Sequence, residues 1–338
     1  MKKYSLLCLF FLFILGFSLF AMEITEGPLR LVLHPSGGRF SLYSTAINRE
    51  RPEALFYDRD PRTSFLSLMV NDRVYKMGDT LTFRTHLTGD ASRPAFVFES
   101  SFMIVSQEFI FVVNPLDSDA IGIRMIFTIT NTSEEALSVG ARYLLDTMLS
   151  EKSSSIEFAT DHRIIDSETL ITVDDDFSFW VDRAPLLALA GSLVTGGSGN
   201  PDSIHIANWQ RLSNASWKPS FVGGRNFNLA PYSFRDTGIA YYFEPETLAP
   251  QEQRVFNITL ALAGNGNTAL PYTAIYPSTP SGEASLRGGD AERERDLREL
   301  REILTRINIL LSSGTVNEEE LNALESSLDS LRSRYNMR

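Results

Sequence analysis

From residue 22 to about residue 275 the chain is a succession of short runs in which apolar and polar residues alternate. Turn-forming residues break these runs every 8 to 12 residues or so, the spacing of strands in a sandwich or barrel. Ile121, Ile123, Met125, Phe127 and Ile129 sit two apart and share one face of an extended segment. Phe65–Val70 and Val74–Met77 flank Asn71-Asp72, a hairpin turn signal. Further strands are predicted at 29–33, 38–43, 80–85, 95–102, 103–113, 139–145, 170–173, 177–181, 186–193, 204–209, 239–243 and 255–262. No long helical period interrupts them, which disfavours parallel βαβ units. The expected fold is a mainly β, large two-sheet antiparallel sandwich over residues 22–263.

The two ends of the sequence differ from this body. Lys2 and Lys3 precede an apolar run from Leu6 to Phe20, and Ala21 closes it, the pattern of a signal peptide over residues 1–21. The run is short of the roughly 20 residues of a membrane span. The lone Cys8 lies inside it, so a cleaved chain has no disulfide, thiolate catalyst or cysteine metal site. Residues 264–289 carry Gly264, Gly266, Pro271, Pro277, Pro280, Gly288 and Gly289 and read as a linker. Beyond it, Leu297, Leu300, Leu304, Ile307 and Leu311 are spaced three and four apart, as are Leu321, Leu324, Leu328, Leu331 and Tyr335. This seam predicts a helical hairpin over 290–338, with Thr315 and Glu318 as a capping box on its second helix. The seam needs a cover: the sandwich, its own second helix, or another chain.

The formal charge of −11 becomes −13 once Lys2 and Lys3 are removed. An acidic chain without a basic block is a poor binder of nucleic acid and of anionic membrane surfaces. A bacterial periplasm or outer surface is the expected location. The sequons at Asn131 and Asn214 are then chance matches.

Little local pattern in the chain points to chemistry. His34, His86, His162 and His205 are scattered, with no metal-binding or zincin spacing, and each reads as a surface or turn residue. Neither a Gly-x-Ser-x-Gly elbow nor a phosphate-binding loop occurs. Asp174-Asp175-Asp176 reads as a solvated turn rather than a calcium site. Asp146 and Glu151 have the chemistry of a glycosidase pair, but among 42 acidic residues such pairs are common, and Asp146 reads rather as a turn or hydrogen-bonding residue after Leu144-Leu145. No metal or cofactor is expected. Residues 209–234 gather aromatic and polar groups, and Trp209, Arg211, Trp217, Arg225, Asn226 and Tyr232 are the candidate ligand-binding residues. The same tryptophans could equally plug the end of a sandwich.

Phe127–Thr132, Gly140–Met148, Tyr241–Pro245 and Leu248–Glu252 together resemble a group of exported bacterial β-sandwich proteins. Over residues 120–262 the layout is similar to galactose-mutarotase-like domains. That resemblance implies a two-sheet fold and a sugar-binding ancestry. It transfers no catalytic residue, because the mutarotase histidines and glutamate have no placed counterparts here.

Two functional expectations follow. One is a non-enzymatic protein of the cell envelope, with a β-sandwich binding surface and a helical hairpin that docks a protein partner or a second copy. The other is a carbohydrate-binding or carbohydrate-active protein that uses the aromatic window 209–234. They separate on geometry: sugar stacking needs an exposed tryptophan, and catalysis needs two carboxylates converging beside it.

Overall fold

The computed structural model describes residues 21–263, except 58–59, 114–119, 153–157, 161–162, 173–174, 176, 178, 193–198 and 233–235. The expected signal peptide, linker and helical hairpin, with the interface residues Leu297 to Leu331, lie outside the described residues. No helix among the described residues is long and apolar enough to cross a membrane.

The described strands form three antiparallel sheets. A four-stranded sheet runs in chain order through β1 (Met22–Glu26), β2 (Leu29–His34), β3 (Arg39–Ser44) and β4 (Glu53–Ala54). A six-stranded sheet has the order β13 (Thr169–Thr172), β16 (Ser203–Asn208), β17 (Thr237–Leu248), β11 (Leu137–Thr147), β5 (Phe65–Val70) and β6 (Arg73–Lys76). The eight-stranded sheet has the order β12 (Phe158–Thr160), β14 (Phe179–Ala184), β15 (Leu187–Ser192), β18 (Gln253–Ala263), β10 (Ala120–Asn131), β9 (Met103–Val113), β8 (Ala95–Glu99) and β7 (Arg84–Thr88).

The two large sheets pack face to face, because alternate residues of their strands are apolar and aromatic. On β10, Ile123, Met125, Phe127 and Ile129 are buried, as their spacing predicts. Phe127 meets Tyr143 of β11 at 5.3 Å between ring centroids, and Phe243 of β17 stacks on Phe256 of β18 at 3.9 Å. Full burial of each such ring is worth about 1.5–3 kcal/mol. The polar handles are satisfied within this layer: Trp180 Nε1–H donates to Tyr241 Oη, and Gln107 donates to Tyr143 Oη. The four-stranded sheet joins the same core through Phe40, which lies edge-on to Phe56 and Phe109.

Three details depart from the sequence-based expectation. The sandwich has a third sheet, which the expected two-sheet arrangement lacks. The strand expected at 80–85 begins at Arg84, because the Thr80 hydroxyl accepts from Thr82 N–H and holds a local turn there. Trp209 is not the end of a strand. Asn208 ends β16, its side chain accepts from Arg211 N–H at 3.3 Å, and the short helix α1 (Trp209–Asn214) begins. The Asn71-Asp72 turn matches expectation, with φ of 46° and 65° in the left-handed region. Asn131 is wholly buried, and its amide donates to the Glu135 and Leu248 carbonyls at 2.8 and 2.9 Å, tying the exit of β10 to the end of β17.

Helix α1 explains why β11 is buried on both faces. One face lies in the sandwich core. The other carries Leu144, which packs with Phe65, Ala207, Leu212, Ala240 and Tyr242 under Trp209 and Trp217. Gly238 on β17 makes this possible. A Cβ there would lie 2.8 Å from Trp209 Cα, so only glycine admits the helix so close to the sheet.

Candidate functional site

The end of the six-stranded sheet beside α1 is where polar side chains concentrate. In register, Asp146 pairs with Gly238 and Thr147 with Thr237, while Asn208 pairs with Thr237 from the other side. Three neighbouring strand ends therefore bring Asp146, Asp236 and the start of α1 together. Glu151 arrives from a single 3-10 turn, Ser150–Lys152, that follows β11. One oxygen of each of Asp146, Glu151 and Asp236 lies within 4.8 Å of the others.

Each carboxyl is held by neutral donors. Glu151 accepts from Thr237 N–H at 3.2 Å, Asp236 from the Gln210 backbone, and Asp146 from the Thr63 hydroxyl. Asp146 N–H donates to Ser64 Oγ at 2.9 Å. Trp209 closes the arrangement: its indole N–H donates to Thr63 O at 2.9 Å and its backbone N–H to Asp236 O at 3.0 Å. Behind Glu151, buried Asp182 on β14 accepts from Leu149 N–H at 3.0 Å and Ser150 N–H at 2.8 Å. Asp182 thus ties the turn that carries Glu151 to the opposite sheet.

Among the described residues no arginine or lysine pairs with these carboxyls. Burial accordingly dominates their protonation. It pushes Asp146 up to about 7, with the charge of Asp236 adding to the rise and the Thr63 hydroxyl opposing it. Burial raises Glu151 to about 8; the Thr237 amide opposes, and the charges of Asp236, Asp146 and Asp182 add. Asp236 rises to about 6 through burial, against the Gln210 amide. Asp182 also rises to about 6, against its bonds to Ser150 and Leu149. At neutral pH the cluster therefore holds both a carboxylic acid and a carboxylate within reach of one another. Such a group shares protons and titrates as a unit. Three oxygen donors also suit a hard cation, although calcium takes 6–8 of them.

A second buried acidic centre lies farther along α1. Glu168 is 3% exposed and accepts from His205 Nε2 at 2.9 Å, Arg211 Nε at 2.9 Å and Val222 N–H at 3.1 Å. His205 is 0% exposed, contrary to the surface or turn position expected of it. Its burial lowers its pKa, so the ring is neutral at pH 7. Arg142 is a further buried charge, 3% exposed. Its Nη1 donates to the carbonyls of Leu212, Ala215 and Trp217, a cation at the C-terminal end of α1 where the carbonyls point outward.

The residues singled out in the aromatic window do not surround one cavity. Trp209 is half-buried against the carboxyl cluster. Arg211 faces the other way, to Glu168 and to Tyr232. Trp217 is half-buried and edge-on to Tyr242 at 5.9 Å. Arg225 lies 5.4 Å over the Tyr232 ring, and Asn226 is exposed with its Oδ1 accepting from Asn228 N–H. Asp146 and Glu151, which sequence alone could not raise above 42 acidic residues, do converge. Neither Asp236 nor Asp182 stands out in the sequence. The available signal was the placement of Asp146 directly behind Tyr143-Leu144-Leu145 near the end of a buried strand.

No family model matches the chain, and no curated protein matches it. Solved structures do. A galactose mutarotase related enzyme from Lactobacillus acidophilus is 8% identical, with 73% of this chain and 98% of that chain covered at a TM-score of 0.45. A galactose mutarotase-like protein from Lactobacillus casei is 10% identical, covering 72% and 100% at 0.44. A candidate aldose 1-epimerase from Escherichia coli K12 is 11% identical, covering 72% and 99% at 0.44. The mutarotase-like resemblance read from residues 120–262 is thus met again among the structures similar to this chain.

Proposed function

We propose that the protein is an exported carbohydrate-binding β-sandwich whose binding centre is the carboxyl cluster of Asp146, Glu151 and Asp236 beside Trp209. The observation that carries this reading is the convergence of three carboxyls next to a half-buried indole, with no arginine or lysine partner among the described residues. Sugars present hydroxyls that both donate and accept, and a cluster holding an acid and a carboxylate offers both roles. An indole adds an apolar face for a ring. Glu151, with the highest pKa of the cluster, is the proton donor, and Asp236 is the acceptor. The same pair supplies general acid–base capacity if the bound sugar reacts. Export rests on residues 1–21.

The test is a glycan array followed by calorimetry on the mature chain and on Glu151→Gln, Asp146→Asn and Trp209→Phe. A sugar should bind the wild type, and each substitution should weaken it by about tenfold or more. An array without hits, or heat of binding seen only with calcium, would replace the sugar reading with a cation site.

A further inference from the structure

The loop after α1 presents large apolar side chains to solvent. Phe221 is 49% exposed, Val222 44% and Leu229 50%. They stand on successive turns: Arg225 N–H donates to Val222 O, and Leu229 N–H donates to Asn226 O, both at 3.2 Å. Exposed apolar groups gathered on one loop are candidates for an interaction surface.

The tip is also held rigidly from beneath. Val222 N–H donates to buried Glu168 at 3.1 Å, and Glu168 N–H donates to Arg225 O at 2.7 Å. Arg211, bound to the same carboxylate, reaches Ser220 O, and the Phe221 ring stands edge-on to His205 at 5.9 Å. A buried ion network of this kind is no more stabilising than an apolar filling, but it fixes one geometry. A tip fixed in advance loses little freedom when a partner binds.

Chemistry narrows the partner. Residues 203–232 contain Arg211, Lys218 and Arg225 but no Asp or Glu, in a chain of net charge −11. Arg211 pairs with Glu168 and Lys218 with Glu244. Arg225 lies over Tyr232 and has no carboxylate partner among the described residues. Arginine and tyrosine beside aliphatic side chains are the composition of protein–protein hot spots. Val222 and Leu229 have no flat face to offer a sugar ring.

We propose that this tip docks a polypeptide segment that combines apolar side chains, seated on Phe221, Val222 and Leu229, with a carboxylate that meets Arg225. This surface is independent of the carboxyl cluster, and it stands or falls without the sugar reading. The experiment selects a display library of random linear peptides on the full chain. Selected peptides should combine apolar residues with Asp or Glu. Their affinity should fall about tenfold on a Phe221→Ser/Val222→Ser chain and on Arg225→Gln, with melting unchanged. Glu168→Gln, which loosens the tip from beneath, should also weaken them. A selection without enrichment, enriched peptides lacking acidic residues, or binding indifferent to these substitutions would overturn the proposal. So would tip-dependent binding of phosphatidylglycerol vesicles or of an arrayed glycan in place of peptide.

Discussion

Helix α1 touches two buried acidic centres that are built differently. At one, Glu168 has a donor for each oxygen: two nitrogens of Arg211, the His205 ring and the Val222 amide. At the other, Asp146, Glu151 and Asp236 crowd together with backbone amides and a hydroxyl, and no cation pairs with them among the described residues. The first arrangement resolves its charge inside the fold and holds a loop in place. The second leaves carboxyls raised to about 7, 8 and 6. Charge that the fold does not itself satisfy is the mark of a group kept for a ligand or a proton.

This contrast predicts opposite responses to substitution. The largest effect belongs to Glu168→Leu, which strands the Arg211 guanidinium and the Val222 amide. A loss of about 3–5 kcal/mol in denaturant unfolding is expected. A neutral result would mean that the network contributes nothing to the fold. Next is Asp182→Ala, which removes the acceptor of two backbone amides in the turn before Glu151 and should destabilise by about 1–3 kcal/mol. The same change should lower the pKa of Glu151, since a neighbouring negative charge disappears.

The carboxyl cluster should respond in the other direction. A carboxyl whose folded pKa is raised binds its proton more tightly in the folded state. Its contribution to stability is complete below pH 4 and is lost as pH rises through the folded value, here between about 4 and 8 for Glu151. Glu151→Gln and Asp146→Asn, which remove a carboxyl that resists ionising, should therefore stabilise the chain at pH 8 and give no gain at pH 4. A melting series across that range checks both the sign and the window. Phe221→Ser, on the exposed tip, should change stability by less than about 0.5 kcal/mol.

The sequence made the β class legible because strand periodicity is local. Ile123 to Ile129 alternate on β10 as they alternate along the chain. The third sheet was not legible, since β1 to β4 carry the same alternation as any other strand and only packing assigns them to a separate sheet. The start of α1 was missed because Ile204–Trp209 reads as a continuous strand. The cap that ends it is one Asn208 side chain, and the space for the helix is one Gly238. Trp209 was legible as a residue of interest, but its partners were not. Asp146, Glu151, Asp182 and Asp236 span 90 residues of sequence and meet only through the pairing of β11 with β17 and the hydrogen bonds of Asp182 to the 149–150 turn. His205 reads as a surface histidine until its partner, Glu168, is seen 37 positions away.

Protonation of the carboxyl cluster is what most directly sets it apart from Glu168. Carbon-13 NMR titration of the side-chain carboxyls of Asp146 and Glu151 in the folded protein measures it. Midpoints near 7 and 8 are the expected result, and both should move when Asp236 is replaced by asparagine. Midpoints near 4 for both, unmoved by that replacement, would mean that the cluster is solvated and separate, and the contrast with Glu168 would collapse.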